Sequence, residues 1–320
     1  MTIAKAFWTV APGHGEIREE ILAPPNAAET RLHALASGVS RGTEALVFAG
    51  SVPPSQYDIM RAPLMGGAFP GPVKYGYSTV ACDPSGQRVF VLHPHQDVFN
   101  APTAMCIPVP DTVPTARAVL GANMETAVNI LWDAAPLAGE RILVIGAGVV
   151  GLLAGALSAR VPGTQVTLVD IDPARARLAE PFGCRFALPN DAPTDQDLVI
   201  HASASEAGLR LALSQAGYEA RIIEASWFGA NSPNVPLGES FHSRRLRLIA
   251  TQVGAVAPAM RGRRSFGERL ALALGLLADP SFDALLDGPT RFEAMPAAMP
   301  TILATGGLCH VIAYNADITV

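Results

Sequence analysis

The sequence predicts an α/β protein in which a β-rich domain precedes a domain built on a parallel sheet. From about residue 140 to 258, apolar β-like runs alternate with helical runs, a pattern typical of parallel sheets with covered faces. Before residue 115 the chain has short β-like runs separated by turn residues. A proline-rich stretch at 108–114 divides these regions. We therefore predict domains at 1–115 and 116–258, followed by a C-terminal segment at 259–320.

The first region carries runs of β-branched and aromatic residues bounded by turn formers, which indicate strands. These predicted strands cover 4–10, 30–37, 77–81 and 87–92. A helix is predicted over 116–135, before Pro136. A second, short helix is predicted over 45–49, with Glu44 as its cap.

The second region alternates regularly between the two element types. Its predicted strands are 142–145, 165–169, 198–201, 221–225 and 246–251. Its predicted helices are 148–160, 173–182, 206–213 and one near 240–244. The remaining chain is expected to form helices at 266–277 and 294–304 and an extended tail at 307–314.

A glycine motif lies where the first strand of this region meets its first helix. Gly146, Gly148 and Gly151 have the Gly-x-Gly-x-x-Gly spacing, and apolar β-like and helical runs flank them. Such a turn lets the backbone approach a pyrophosphate and points helix N–H groups at it. Asp170 follows Gly151 by 19 positions, close to the spacing of the acid that binds an adenosine ribose. The motif predicts a Rossmann-type domain that binds a dinucleotide.

The carboxyl ends of the predicted strands supply the cofactor contacts, because ligands of parallel sheets bind at that edge. The predicted cofactor-binding residues in this domain are Gly146, Gly148, Val149, Val150, Gly151, Asp170, Ile171, Arg175, Ala202 and Ser203. Asp170 favours NAD over NADP because a carboxylate repels a 2′-phosphate, although Arg175 could accommodate that phosphate.

A membrane span is the alternative interpretation of the uncharged run 142–159, which is 18 residues long. Its glycines follow the nucleotide spacing and no second candidate span accompanies it, so we expect no membrane partner.

Composition limits the possible partners and compartment. The chain has 320 residues, a formal net charge of −5 and a pI near 5.8, so nucleic acid is not an expected partner. The cysteines are scattered without a Cys-x-x-Cys pair, which argues against a disulfide framework or a four-cysteine zinc lobe. Reduced thiols and the absence of a secretory pattern at residues 1–15 predict a cytoplasmic protein.

Four segments resemble the medium-chain dehydrogenase/reductase superfamily: 37–44 (SGVSRGTE), 73–78 (VKYGYS), 122–127 (ANMETA) and 139–183. The resemblance implies a GroES-like first domain, a Rossmann-type second domain and a C-terminal segment that returns to the first. It also implies a homodimer formed through the last strand of the second domain, here within 246–256. Segment 37–44 is similar to bacteriochlorophyllide dehydrogenases of the same superfamily, a likeness too short to imply their substrate.

The chain departs from the zinc-dependent members at each ligand position. Ser40 replaces the expected cysteine, Tyr77 replaces the histidine of a Gly-His-Glu segment, and Ala122 stands at the third position. These residue types do not form the usual tetrahedral zinc site. We therefore predict a zinc-independent member with no bound metal.

Tyr77 is the first catalytic candidate, because the resemblance implies that it faces the reacting end of the cofactor. Ser40, Glu125 and His95 are further candidates for proton handling or substrate binding. The resemblance also places Thr126 near the nicotinamide and Arg41 near the pyrophosphate. Each has a structural alternative: a hydroxyl bonded to backbone for Tyr77, turn chemistry for Ser40, a paired charge for Glu125 and a polar loop for His95.

The sequence thus predicts an NAD(H)-dependent, zinc-independent oxidoreductase that acts on a small alcohol or carbonyl compound. One alternative is an NADPH-dependent quinone or enoyl reductase of the same superfamily. Another is a protein that binds the dinucleotide without catalysis and serves as a sensor or partner subunit.

Overall fold

The computed structural model describes residues 2–304, 306–315 and 318. The strands are β1 Thr2–Ala11, β2 His14–Leu22, β3 Glu29–Val39, β4 Gly66–Gly67, β5 Val73–Lys74, β6 Thr79–Cys82, β7 Arg88–Val91, β8 Val98–Pro102, β9 Ile107–Pro108, β10 Arg141–Ile145, β11 Gln165–Val169, β12 Arg185–Ala187, β13 Gln196–His201, β14 Ala216–Glu224, β15 Arg247–Ala250, β16 Leu286–Arg291 and β17 Cys309–Ala313.

The α-helices are α1 Arg41–Phe48, α2 Thr115–Ala118, α3 Gly121–Ala134, α4 Val149–Ser158, α5 Ala176–Ala179, α6 Glu206–Gln215, α7 Phe266–Leu276 and α8 Met295–Ala304. Short 3₁₀ segments occur at Pro54–Gln56, Thr103–Met105, Pro173–Arg175, Glu180–Phe182, Pro189–Asp191, Pro280–Leu285 and Phe292–Ala294, and a π-helical turn at Leu237–Phe241.

The chain forms two compact units. The first unit contains the residues up to Ala122 together with those from Leu270 onward, and the second contains Asn123–Arg269. Sequence patterns predict divisions near 115 and 258 instead, before the end of helix α2 and before helix α7.

The first unit is built on two sheets. The smaller has the order β2-β1-β5-β4, and the larger has the order β16-β17-β3-β6-β7-β9, with β8 also paired to β3. Strand β17 pairs antiparallel with β3, Ile312 opposite Ser37, so the C-terminal segment completes the larger sheet. A core cluster containing Phe7, Phe48 and Met295 packs residues from both ends of the chain together.

The second unit holds one parallel sheet of order β12-β11-β10-β13-β14-β15. This is the doubly wound order of nucleotide-binding folds, with the reversal of direction between β10 and β13. Buried β-branched and leucine side chains such as Leu143, Val199 and Ile222 form its core. The predicted fold class, a Rossmann-type parallel sheet with a separate β-rich domain, is confirmed.

Several predicted elements differ from the structure for identifiable reasons. The helix expected over 116–135 is divided into α2 and α3, because the chain tightens at Leu120, whose N–H donates to the Arg117 carbonyl three residues back. The helix expected over 173–182 is three short turns, since Pro181 cannot donate the hydrogen bond that a continuous helix requires. Helix α1 begins at Arg41 rather than at Ala45, so Glu44 lies in the first turn of the helix, where its carboxylate accepts the N–H of the N-cap residue Ser40.

Strands β2 and β16 have no clear sequence signal. Strand β2 is rich in charged residues and largely half-exposed, so it lacks the alternation of a half-buried strand. Strand β16 contains Gly288-Pro289, which disfavours a strand except at an edge. It lies at the edge of its sheet, with an irregular register between Asp287 and Thr290.

The run 142–159 is a strand and a ten-residue helix rather than one long helix. Among the described residues, no helix is both long and apolar enough to cross a bilayer. The interpretation of this run as a membrane span is therefore wrong.

Candidate active site

A cavity of about 730 Å³ opens at the carboxyl ends of the strands of the second unit. Ile145, Val169 and Ala202 bring the ends of β10, β11 and β13 to its wall. Its size suits a small-molecule or cofactor site, and it lies at the reversal point of the sheet, where nucleotides bind in this topology.

The glycine turn has the geometry of a phosphate cradle. A Cβ on Gly151 would lie 1.8 Å from the Gly146 carbonyl oxygen, so only glycine allows helix α4 to pack this closely on the turn. Gly146 has φ +104°, and a Cβ there would lie 2.8 Å from the Ala202 backbone. A Cβ on Gly148 would instead meet no protein atom within 4 Å, although its backbone is ordinary and extended. The space above Gly148 is what a closely approaching pyrophosphate requires.

Asp170 closes the turn from the end of β11. Its carboxylate accepts hydrogen bonds from the Ala147 N–H at 2.7 Å and from the Asp172 N–H at 3.0 Å. Ile171 is 85% exposed, beside the cavity that it lines. Arg175 is half-buried, with its Nε 3.4 Å from an Asp172 carboxylate oxygen. The predicted adenosine-end residues thus lie together, and the first turn of α4 supplies Val149 and Val150.

The loop after β13 carries a polar network that the sequence analysis missed. His201 is completely buried, with its Nδ1 2.7 Å from Glu224 and its Nε2 2.7 Å from the hydroxyl of Ser203. Ser203 and Ser205 line the cavity, and their hydroxyls are 2.9 Å apart. A sequence signal for this pair was available, because both residues lie at or near the ends of the strands predicted over 198–201 and 221–225. The parallel register places them side by side. The network fixes the predicted Ser203 hydroxyl at the cavity wall.

Two predicted catalytic residues meet in the first unit. The hydroxyl of Tyr77 donates to the Ser40 hydroxyl at 2.7 Å. Burial raises the pKa of Tyr77 to about 12, and the nearby Glu44 carboxylate raises it further, against smaller lowering effects of Ser40 and Thr43. Tyr77 is therefore a protonated hydrogen-bond donor at neutral pH. It packs edge-on against Tyr75, with ring centroids 6.0 Å apart.

His95 joins the same site through Glu44. His95 Nε2 lies 2.9 Å from one Glu44 carboxylate oxygen, and the other oxygen accepts the Ser40 backbone N–H at 2.7 Å. His95 Nδ1 lies 2.6 Å from Ser37, whose hydroxyl is 3.1 Å from that of Tyr314. Sequence reasoning gave Glu44 only a capping role and missed Ser37 and Tyr314.

His93 does not share a site with His95, although the two alternate along the chain. The His93 ring stacks on Phe99 with centroids 3.7 Å apart, and its Nδ1 donates to the Pro94 carbonyl. Burial lowers the pKa of His93 to about 3, so the ring is neutral. Within the part of the chain that the structure describes, no group of three or more His, Cys, Asp or Glu residues could hold a metal ion.

The remaining predicted residues have other contacts. The Glu125 carboxylate accepts from Arg269 Nε at 3.0 Å, and both side chains are buried within the second unit. Thr126, on the same helix, is half-buried. Arg41 belongs to the first unit, where it donates to the Leu303 carbonyl at 3.2 Å. The catalytic role of Glu125 and the cofactor roles of Thr126 and Arg41 stay predictions.

Solved structures of dehydrogenases share the fold of this chain. One of them, described as a short chain alcohol dehydrogenase from Escherichia coli CFT073 complexed with NADH, superposes with a TM-score of 0.80. It is 15% identical in sequence, over 98% of this chain and 100% of that chain.

Two curated relatives share sequence with the chain over shorter segments. A zinc-type alcohol dehydrogenase-like protein of Haemophilus influenzae is 27% identical over 150 residues, or 43% of this chain and 44% of that protein. L-galactonate-5-dehydrogenase of Escherichia coli K12 is 31% identical over 127 residues, or 38% of this chain and 36% of the enzyme. The matches thus span less than half of each relative. No protein-family model matches the chain. These similarities support the resemblance to the zinc-type alcohol dehydrogenase-like superfamily.

Proposed function

We propose that the protein is a nicotinamide-dependent oxidoreductase that interconverts a small alcohol and its carbonyl compound. The observation that carries the proposal is the glycine turn, where Gly146 and Gly151 are required by packing while the space above Gly148 is open. The dehydrogenase names of the relatives and the fold support the same class of reaction. The nicotinamide, when bound, supplies or accepts the hydride.

The cofactor we propose is NAD(H). The Asp170 carboxylate at the end of β11 would accept hydrogen bonds from a ribose and repel a 2′-phosphate. Its two oxygens are already oriented by the N–H groups of Ala147 and Asp172. Arg175 faces Asp172, so its charge is partly neutralised and is less available to a phosphate.

We propose that the reaction proceeds without zinc. The residues at the three positions where the resemblance implies zinc ligands do not fit the metal. Ser40 and Tyr77 are neutral hydroxyls hydrogen-bonded to each other, and the methyl side chain of Ala122 cannot coordinate zinc. Hydroxyl groups, those of Tyr77 and Ser40, would therefore polarise the substrate oxygen. In the reducing direction, the Tyr77 hydroxyl gives its proton to the substrate oxygen as hydride reaches the carbonyl carbon, and the phenolate regains a proton from solvent.

Replacing Tyr77 with phenylalanine tests this role. We expect kcat for carbonyl reduction to fall about 100-fold with little change in cofactor affinity, because the proton donor is lost and the second unit is untouched. The measurement is NADH oxidation with a panel of aldehydes and ketones, together with calorimetric titration of NAD(H) and NADP(H). Tyr75→Phe is the matched control, since the Tyr75 hydroxyl donates to the Met60 carbonyl and not to Ser40 or Glu44 among the described residues.

Three outcomes of this experiment distinguish the alternatives. Absence of binding for both cofactors overturns the proposed function. Tight binding with no turnover of alcohols, carbonyls, quinones or enones identifies a cofactor-binding protein without catalysis. Preferential turnover of quinones or enones with NADPH identifies the reductase alternative.

We also propose that the protein is a homodimer paired through β15. This strand is the edge of the parallel sheet, and it leaves Leu248 38% exposed. An exposed apolar edge strand is a template for pairing with a second copy. Sedimentation velocity should show a dimer that Leu248→Lys shifts toward monomer, whereas Leu272→Lys, at an exposed leucine of α7, should leave it dimeric. A monomeric wild-type protein would contradict the proposal.

A further inference from the structure

A buried chain of hydrogen bonds lies behind the Tyr77–Ser40 hydroxyl pair. It runs from Tyr314 through Ser37 and His95 to Glu44. Glu44 is 4% exposed, His95 1% and Ser37 not at all. Burying polar groups this deeply costs folding free energy unless each of them is hydrogen-bonded. A buried row of such groups beside two candidate catalytic hydroxyls therefore indicates a functional role.

One assignment of hydrogens satisfies every contact in the chain. The Tyr314 hydroxyl donates to Ser37, Ser37 donates to His95 Nδ1, and His95 Nε2–H donates to Glu44. From the other side, the Ser40 backbone N–H donates to the second Glu44 oxygen. The row of donors from Tyr314 thus ends at His95, and His95 and the Ser40 N–H both donate to one buried carboxylate.

The packing around His95 holds this arrangement in place. Gly76 has φ +131°, and a Cβ there would lie 3.0 Å from the His95 ring and 3.3 Å from its backbone nitrogen. The residue next to Tyr77 therefore has to be glycine to admit the ring. The Tyr314 ring stacks on Phe292 with centroids 4.7 Å apart, and this contact fixes the end of the hydrogen-bonded row that is farthest from Glu44.

We propose that Glu44, held by His95, Ser37 and Tyr314, is a positioning residue that fixes Ser40 and sets Tyr77 as the proton donor to a substrate oxygen. This inference rests on the proposed function. Glu44 acts through the Ser40 backbone, and through its negative charge, which opposes ionisation of Tyr77. It organises with hydrogen bonds two of the three positions at which the resemblance implies metal ligands, Ser40 and Tyr77.

The groups that could influence Tyr77 come from several elements. Glu44 lies on α1, Cys309 on β17, and Tyr75 precedes Tyr77 along the chain. Burial and the Glu44 charge raise the pKa of the Cys309 thiol, which is therefore neutral. Tyr75 and Tyr314 also have raised pKa values because of burial, so they stay uncharged beside Tyr77 and Glu44. Glu44 is thus the group whose charge bears most directly on Tyr77.

The first experiment needs no substrate. Tyrosine ¹³Cζ NMR of the full chain, assigned with Tyr77→Phe, follows ionisation of Tyr77 with pH. In the wild type the Tyr77 signal should titrate at about pH 12 or stay unshifted to the highest pH tolerated. Glu44→Gln keeps an acceptor for the Ser40 N–H but removes the charge, so Tyr77 should ionise at lower pH. An identical titration in the wild type and Glu44→Gln overturns the inference, whatever the activity.

The second experiment is kinetic. We expect Glu44→Gln to lower kcat about tenfold and Glu44→Ala about 100-fold, with KM for NADH unchanged, because a misplacement of about 1 Å at a reacting group has effects of this size. His95→Gln, which can still donate to Glu44, should retain more activity than His95→Ala. The alkaline fall of kcat should move to lower pH in Glu44→Gln.

The control again is Tyr75→Phe, which alters the same aromatic cluster outside the chain of hydrogen bonds. Wild-type kcat in both Glu44 variants, with Tyr77→Phe impaired, overturns the inference and leaves the proposed function intact. Wild-type kcat in Tyr77→Phe overturns the inference together with the role of Tyr77 as proton donor, whereas NAD(H) binding still tests the rest of the proposed function.

Discussion

Gly148→Ala should weaken NAD(H) binding by about 100- to 1,000-fold and leave the fold unchanged. The added Cβ meets no protein atom within 4 Å, and the backbone of Gly148 is extended, with φ −77° and ψ −179°. The methyl group therefore costs the cofactor-free protein nothing. It fills the space that the pyrophosphate needs to reach the N–H groups at the start of α4, and losing one or two charge-assisted hydrogen bonds costs about 1.5–3 kcal/mol each.

Calorimetric titration of NADH and thermal unfolding, both on the full chain, measure the two parts of this prediction. Gly155→Ala is the matched control in the same helix. Its Cβ would meet only side-chain atoms, Leu168 Cδ2 at 3.0 Å being the nearest, and lies away from the turn. That variant should bind NADH as the wild type does. Equal affinity of the wild type and Gly148→Ala, with equal melting temperatures, would show that the turn is not a phosphate cradle.

This cradle could be predicted from the sequence because its determinants are local. Gly146, Gly148 and Gly151 lie within one turn, and flanking apolar runs specify the strand and helix around them. The alternation of strands and helices also specifies the parallel sheet, because period and length distinguish these elements.

The network around Glu44 could not be predicted in the same way. Glu44 contacts His95, which is 51 residues away, and Ser37 contacts Tyr314, which is 277 residues away. No periodicity connects positions so distant, since their contact depends on the pairing of β3 with β17 and on the backbone hydrogen bond of His95 to Phe7 in β1. The sequence indicated that His95 was unusual but did not indicate its partner.

Glu125 illustrates a third case, in which the residue was recognised but its partner was not. A carboxylate beside the Thr126-Ala127 pair suggested acid–base chemistry. Arg269 lies 144 residues later in the chain and binds this carboxylate inside the second unit. The contact favours the structural alternative, a paired charge, and it leads to a prediction about stability.

Arg269→Met should destabilise the second unit by about 3–5 kcal/mol, the usual cost of breaking a buried ion pair by removing one partner. Arg269 is 1% exposed and donates to Glu125, to the Asn129 side chain at 2.6 Å and to the Val253 and Ala255 carbonyls. Methionine fills much of the volume but donates to none of these acceptors, and the buried Glu125 carboxylate loses its ion-pair partner. Urea unfolding followed by hydrogen exchange should show the loss in β10 and β13, and less in β3 of the first unit.

Arg245→Met is the matched control for this substitution. Arg245 is in the same unit and bonds Glu219 at 2.9 Å, but the side chains are 70% and 46% exposed. An exposed pair contributes about 0–1 kcal/mol, so this variant should unfold almost as the wild type does. Equal effects of the two substitutions would contradict the proposed importance of burial.

The effect of Arg269→Met should also grow with pH. Burial raises the pKa of Glu125, and Arg269 opposes that rise, so removing the arginine raises the pKa further. A carboxyl with a raised pKa binds more protons in the folded state than in the unfolded state. The free energy of unfolding therefore falls as the pH increases above 4.5, the ordinary pKa of a glutamate side chain. The deficit should therefore widen from about pH 5 to pH 7. Adding Glu125→Gln removes the buried charge, and the double variant should lose this pH dependence and recover part of the stability. If the stability deficit of Arg269→Met is the same at about pH 5 and about pH 7, the prediction is contradicted. The ionisation of an unpaired, buried Glu125 would then not be the cause of the deficit.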